Sequence, residues 1–506
     1  MKAYLMYSSR DFDLEQELPA LSRDLMQDLE LQTLFGAMAR DDEFLLKVAK
    51  QTVLSGLDND LDTILYRQPI LKDCLNNPAM VREMYTIAVE AIEKERKHYW
   101  GILRDYPPAT LSRAIEVLQL FMDQLKKLRM FADTYARQCE SEGFTRFFVM
   151  LQQELTNEYF AEIRRHLREL KFPDGVLVSA ELGQGNKGKN YILRKPPEKE
   201  PNWLKRVLAT KPREYTFTIA DRDESGAKAL TELQGQGINL AANALAQSAD
   251  HTLSFFKLLR AELGFYVGCL NLHERLAEKG EPICFPVPMA RQERSESKRF
   301  QHSVRGLYDV CLTLRIEPRV VGNTVNADEK SLVIITGANQ GGKSTFLRSI
   351  GLAQVMMQCG MFVPAEAFCA NVCNGVFTHY KREEDATMQS GKFDEELKRM
   401  SEIVDHIATN SLLLCNESFA ATNEREGSEI AKQIVCALRE KGIKIFYVTH
   451  LYEFARGFYA QEMRDAIYLR AERQVDGTRT FRVKEGEPLQ TSYGKDLYER
   501  IFVTDK

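Results

Sequence analysis

Residues 331–345 read Ser331-Leu-Val-Ile-Ile-Thr-Gly-Ala-Asn-Gln-Gly-Gly-Lys-Ser-Thr345, and this stretch decides the fold of the C-terminal part of the chain. Val333, Ile334 and Ile335 form a short apolar run of the kind that fills a buried parallel strand. The run meets Gly337, Ala338, Asn339, Gln340, Gly341, Gly342, Lys343, Ser344 and Thr345, which fit the G-x-x-x-x-G-K-[ST] pattern at every fixed position. A helical stretch follows through Phe346, Leu347, Ile350 and Val355. Glycines let such a loop curl until successive N–H groups face one anion, and the helix N-terminus adds its positive end. Lys343 can then reach the β- and γ-phosphates, and the Ser344 hydroxyl suits Mg²⁺. Strand, loop and helix in this order predict a site for a nucleoside triphosphate with Mg²⁺.

Working outward, the chain alternates strand and helix from about residue 300 to its end, which is an α/β pattern. Leu412–Cys415 and Ile445–Val448 read as further core strands, and Ile467–Leu469 with Thr480–Val483 as a hairpin about Asp476-Gly477. Asn416 and Glu417 follow the first of these strands. An acidic pair is usual at this strand end in phosphate-loop ATPases: the first acid helps hold Mg²⁺ and the second polarises the attacking water. Here Asn416 brings an amide oxygen but no charge, so the metal is expected to be held more weakly, while Glu417 remains as the candidate base. His450 follows the next strand, in Val448-Thr-His450, where it could report on the γ-phosphate.

Upstream of this α/β part, residues 1–172 read as helical. Ile115, Leu118, Met122, Leu125, Leu128 and Ala132 recur at helical spacing. Residues 145–170 repeat the pattern, predicting one helix of about 39 Å. Residues 173–222 change character, with short strand-like runs at Val176–Ser179, Tyr191–Leu193 and Tyr215–Ile219. Between 187 and 213 stand nine basic residues, among them Lys187, Lys189, Arg194, Lys195, Lys205 and Arg206, against Glu198 and Glu200. This is either a solvated loop or a contact surface for nucleic-acid phosphates. Helical periodicity returns over 223–299, most clearly from about 226 to 279. The expected architecture is therefore multidomain. Long lever-like helices carry a small β-rich insertion at 173–222, and an α/β phosphate-loop domain follows at 300–506.

The composition limits partners. A net charge of −4 over 506 residues confines any nucleic-acid surface to a local patch. No run of about 18 apolar residues appears, so no membrane span is expected, and the absence of an export signal points to the cytoplasm. The ten cysteines are scattered. Cys369 and Cys373 lack a second pair or a well-spaced histidine, and they read as structural thiols.

With these pieces in place, the last 200 residues resemble the MutS family of DNA mismatch-repair ATPases. The resemblance rests on an ordered series: Thr336–Arg348, Gly360-Met-Phe-Val-Pro-Ala365, Ser390-Gly-Lys-Phe393, Asn416-Glu417, Thr449-His450 and Ser492-Tyr-Gly494. The long helices with a β insertion are similar to the family's lever and clamp, and Asp60–Gln68 looks like its lever opening. The family's mismatch-reading and connector domains are not apparent in the sequence, nor is an N-terminal Phe-x-Glu. The resemblance implies a homodimer through the ATPase domains, each site completed by its neighbour, with helical arms that open or close on DNA. Ser390 is the trans-site candidate, although an ungapped alignment puts Gly391 at the family's serine. Mismatch reading itself does not carry over. Structure-specific DNA binding, including branched forms, is the expectation. A nucleotide-gated scaffold with negligible turnover, on account of Asn416, and an RNA-directed protein are the rivals.

Overall fold

The structure, a computed structural model, describes residues 1–97, 106–195, 215–290, 300–382, 391–474 and 478–489. The N-terminal region is helical: α1 (Ser22–Asp28), α2 (Leu31–Ala39), α3 (Glu43–Ser55), α4 (Leu61–Asn76), α5 (Pro78–Lys97), α6 (Pro107–Tyr135), α7 (Glu142–Glu154) and α8 (Asn157–Glu169). The hairpin β1 (Val178–Leu182) and β2 (Gly188–Leu193) follows, then the long helix α9 (Glu224–Glu278). The remainder is mixed α/β: β3 (Val287–Met289), β4 (His302–Leu307), α10 (Val310–Arg315), β5 (Asn323–Asn326), β6 (Leu332–Thr336), α11 (Lys343–Gln358), β7 (Ala367–Asn371), β8 (Val376–Tyr380), α12 (Lys392–His406), β9 (Leu412–Asn416), α13 (Glu424–Glu440), β10 (Lys444–Val448), α14 (Tyr452–Tyr459), β11 (Ala466–Arg473) and β12 (Arg479–Glu485).

Two local readings change. The single helix predicted over 145–170 is two, because Thr156 caps a new start: its side chain accepts from the Tyr159 N–H at 3.1 Å. Tyr215–Ile219 alternates like a strand but joins no ladder among the described residues. Strand propensity needs a neighbour to satisfy its backbone groups. The Asp476-Gly477 turn lies outside the described residues, although β11 and β12 pair antiparallel as a hairpin should.

The chain divides into two compact units, one of 1–3, 83–137 and 146–260, the other of 4–82, 138–145 and 261–506. This differs from the division at 172 and 300 drawn from periodicity. The reason lies in the packing of residues 4–82. Asn59 and Gln358 exchange side-chain-to-backbone hydrogen bonds across 56–59 and the end of α11, at 2.9 Å to the Gln358 carbonyl and 3.1 Å to the Leu57 carbonyl. Arg67 is fully buried and donates to the Cys359 carbonyl at 3.2 Å. A methyl group on Gly351 would sit 2.7 Å from Leu29, so α11 and the N-terminal helices share one core. Helical periodicity marks which face is buried but not against what.

In the first unit, α6, α8 and α9 bury Leu111, Ile115, Leu167, Ile238 and Ala242 in one cluster. The second unit is built on a six-stranded sheet of order β12-β11-β6-β10-β9-β8. Strands β11, β6, β10, β9 and β8 run parallel, and β12 closes one edge antiparallel. A four-stranded sheet, β3-β7-β4-β5, lies beside it in the same unit. Leu332, Val333, Ile334 and Ile335 are all fully buried, as a strand covered on both faces requires. Among the described residues no helix is long and apolar enough to cross a membrane.

Candidate nucleotide site

Register assembles the site. Val448 on β10 pairs with Ile335 on β6 and with Asn416 on β9, so the chain leaves all three strands at one level. The loops after these strands therefore meet in the crevice at the carboxyl ends of a parallel sheet. Gly337–Thr345, Asn416, Glu417 and His450 come together there.

The phosphate loop turns at Gly337 (φ 109°) and Gly342 (φ 89°), both in the left-handed region. At Gly337 a side chain would also lie 2.9 Å from the Ala471 nitrogen, so only glycine fits the turn against β11. Lys343 opens α11 and folds back, its Nζ donating to the carbonyls of Gly337 at 2.8 Å and Ala338 at 3.0 Å. Burial pushes this ammonium down to about 8, against the upward pull of the Glu417 carboxylate. The Ser344 hydroxyl donates to Asn416 Oδ1 at 2.9 Å. Hydroxyl and amide oxygens are hard donors that suit Mg²⁺ through its bound water, and Asn416 adds no carboxylate to that pair.

Glu417 has a left-handed backbone (φ 56°), as has Phe419 (φ 62°). For residues with a Cβ this costs on the order of 1–3 kcal/mol each, and surrounding contacts must enforce it. The turn presents Glu417 Oε1 to His450 Nε2 at 2.8 Å. That hydrogen bond holds the carboxyl below the ordinary range despite partial burial, with Lys343 and Lys381 adding to the effect. Glu417 is therefore an ionised acceptor at neutral pH, oriented by the histidine that the sequence places after the next strand.

Sequence reasoning missed two features. A cleft of about 580 Å³ is lined by Tyr308, Arg319, Val320, Asn323, Arg482 and Val483, among others. Asn323 ties it to the phosphate loop: its side chain bonds the backbone of Phe481 (3.3 Å) and Val483 (2.8 Å), and the Phe481 carbonyl borders Gly342. Nothing in Val320–Asn323 signals chemistry; only nearness in sequence to Gly337 could have marked it. The second is Arg348 on α11, which donates to Asp309 Oδ2 at 2.6 Å and pairs with Glu30. It fastens the phosphate-loop helix to the N-terminal helices.

The nucleic-acid candidates that are described belong to the first unit. Lys187, Lys189, Arg194 and Lys195 are exposed on and beside the β1–β2 hairpin of the first unit. Arg194 donates to Ser179 Oγ at 2.9 Å, and Lys189 stands 3.9 Å from Glu181. Lys205, Arg206 and the trans-site candidate Ser390 fall outside the described residues, as does Ser492–Gly494. All ten cysteines are free, and the described residues contain no metal-holding cluster of His, Cys, Asp and Glu.

Comparison with known proteins points to one family. The family description "MutS2 N-terminal domain" matches residues 59–279, and "MutS domain V" matches 333–504. MutS protein homolog 4 of Mus musculus is 26% identical over 261 residues, which cover 51% of this chain and 25% of that protein. Its Homo sapiens counterpart is 26% identical over 242 residues, 47% of this chain and 25% of the relative. The DNA mismatch repair protein MutS of Streptococcus pneumoniae (strain Hungary19A-6) is 26% identical over 293 residues, 55% of this chain and 33% of its own length. The alignments thus span a quarter to a third of the curated relatives. An ordered phosphate-loop site on a parallel sheet, a helical N-terminal region and two family descriptions over most of the chain lead to one conclusion: this protein belongs to the MutS family.

Proposed function

We propose that the protein is a MutS-like ATPase that couples nucleotide hydrolysis to the grip of its helical arms on DNA. The observation that carries this is the convergence of Lys343, the Ser344–Asn416 pair and the Glu417–His450 pair at one sheet edge. ATP would lay its phosphates on the N–H groups of Gly337–Thr345, with its nucleoside in the cleft at Tyr308 and Val320–Asn323. Mg²⁺ would be held by Ser344, with Asn416 accepting from its water, and would neutralise charge on the β- and γ-phosphates. Glu417 accepts a hydrogen bond from the attacking water and aligns its oxygen with the γ-phosphorus. As that P–O bond forms, the bond to the ADP oxygen breaks, and the proton shed by the water passes through Glu417 to solvent, leaving ADP and inorganic phosphate. Phosphoryl transfer of this loose kind asks for positioning and charge more than for a strong base, which an ionised, oriented glutamate supplies.

The β1–β2 hairpin is read as the clamp-like part, with Lys187, Lys189, Arg194 and Lys195 contacting phosphates, joined by Lys205 and Arg206. The α/β unit is read as an ABC-type domain that forms a homodimer and receives Ser390 from its neighbour. ATP would act through its differential affinity for the closed dimer. Binding of matched duplex, mismatched duplex, a four-way junction and a structured RNA, with and without ATP-Mg²⁺ at about 150 mM salt, tests this directly. A nucleotide-dependent preference for the junction is expected; absence of nucleic-acid binding would overturn the clamp. Turnover measured beside Glu417→Ala separates the enzyme from the second reading, a nucleotide-gated scaffold, which Asn416 favours. No turnover in either protein would establish the scaffold.

A further inference from the structure

The left-handed turn that carries Glu417 is held from behind by a buried histidine outside every phosphate-loop motif. His379 lies on β8, paired in register with Cys415 on β9, and is fully buried. Its Nδ1 is 2.7 Å from Ser418 Oγ and its Nε2 is 2.9 Å from the Glu396 carbonyl on α12. A carbonyl only accepts, so Nε2 carries a proton. Burial pushes the ring down to about 4, with the neighbouring Arg399 and Arg382 adding to this, so the imidazole is neutral and Nδ1 is the acceptor. The Ser418 hydroxyl, itself fully buried, then has two acceptors within reach: Nδ1, and the His379 carbonyl at 2.8 Å. One further contact grips the same turn: Tyr447 donates its hydroxyl to the Ser418 carbonyl at 2.9 Å. The His379 ring also stacks on Phe419, with centroids 5.4 Å apart.

We propose that His379 is a positioning residue for hydrolysis, fixing Glu417 through Ser418 and tying that turn to α12. The inference rests on the hydrolytic reading above. Glu417 and Phe419 hold an unfavourable backbone conformation, and the residue between them is bonded on both its side chain and its carbonyl. The strain is kept where the water-aligning carboxylate must stand. Helix α12 is in turn anchored: Arg399 donates to the Tyr380 carbonyl at 2.7 Å and pairs with Asp28 of α1 at 3.4 Å. A shift of α12 would therefore reach Glu417 through His379 and Glu396, with no movement of the phosphate loop.

The test compares steady-state turnover, affinity for a fluorescent ATP analogue and melting temperature in the full chain. The proteins are wild type, Glu417→Gln, His379→Ala, His379→Asn, Ser418→Ala and the His379→Ala/Ser418→Ala double variant. Displacing a catalytic group by about 1 Å can cost up to about 100-fold, so kcat is expected to fall about ten-fold or more in His379→Ala. Nucleotide affinity should stay within about two-fold of wild type, since no phosphate-loop contact changes. Ser418→Ala should lose at least as much, since it also gives up the His379 carbonyl, and the double variant no more than Ser418→Ala alone, because the imidazole acts through that hydroxyl. His379→Asn, whose Oδ1 can accept the Ser418 hydroxyl, should recover part of the rate. Ser418→Ala removes only one oxygen, so it decides the matter if the histidine variants fail to fold. Glu417-dependent turnover that persists in His379→Ala and Ser418→Ala would overturn the proposal. So would a loss of kcat matched by equal losses in nucleotide affinity and melting temperature. Wild-type turnover no greater than that of Glu417→Gln would remove the hydrolytic reading itself, and this proposal with it.

Discussion

The nucleotide edge of the six-stranded sheet and the β1–β2 hairpin both gather charged side chains, and they hold them in opposite ways. At the sheet edge Lys343 is buried and bonded twice to its own loop, and Glu417 is bonded to His450. On the hairpin, Lys187, Lys189, Arg194 and Lys195 are exposed. Chemistry at one phosphorus atom needs groups fixed to a fraction of an ångström. Attraction to a polyanion comes from releasing its counterions, and exposed cations on flexible stems accomplish that without fixed geometry. Order at the sheet edge and exposure on the hairpin are thus what the two proposed tasks require.

Four experiments can break or sharpen this contrast. Glu417→Gln should lower turnover by about 100-fold or more while leaving affinity for an ATP analogue within about two-fold, measured by steady-state phosphate release and analogue fluorescence. An equal loss of both would mean that Glu417 holds the loop and does not act on water.

Lys343→Met should weaken nucleotide binding by about 10- to 100-fold, the worth of charge-assisted hydrogen bonds. The same group predicts a pH effect. Burial pushes its ammonium down to about 8, so raising the pH from 7 to 9 removes most of the charge and should weaken analogue binding in wild type. Well below 8 the charge is present and its contribution to affinity should be constant. Lys343→Met should abolish this dependence.

Asn416→Asp places a carboxylate against Ser344 and should lower the Mg²⁺ concentration for half-maximal turnover by about five- to ten-fold, a typical gain from adding charge to a hydrogen bond. No change would show that Asn416 already suffices. The smallest effect belongs to the hairpin. Replacing Lys187, Lys189 and Lys195 together by Ala should weaken duplex binding about two- to five-fold at 150 mM salt and reduce the salt slope by up to about 0.9 per lost phosphate contact. A loss confined to one nucleic-acid shape would mean that these side chains read geometry, and the contrast between the two regions would narrow.

How much of the molecule was legible in the chain depends on range. Residues 331–345 declare a strand, a loop and a helix because each is dictated locally by apolar run, glycine and periodicity. Asn416, Glu417 and His450 were legible one step further, since parallel strands deliver the loops at their carboxyl ends to a common edge. His379 and Ser418 were not. A histidine in Val376–Tyr380 looks like any buried strand residue until β8 is set beside β9, and that pairing is a long-range outcome. The break at Thr156 carried a capping signal that apolar periodicity overrode. Tyr215–Ile219 shows the reverse, local preference without a partner strand among the described residues. The place of residues 4–82 in the second unit depends on Arg67, Asn59 and Gln358 finding distant carbonyls, and no local pattern encodes such contacts.

The fold-back of Lys343 onto Gly337 and Ala338 has a kinetic meaning. The loop holds a cation of the chain with the chain's own carbonyl groups. On the proposed reading, a phosphate received by the loop would have to compete with those two carbonyls for the ammonium, and a single side chain changing partners would be enough to trade one set of oxygens for the other.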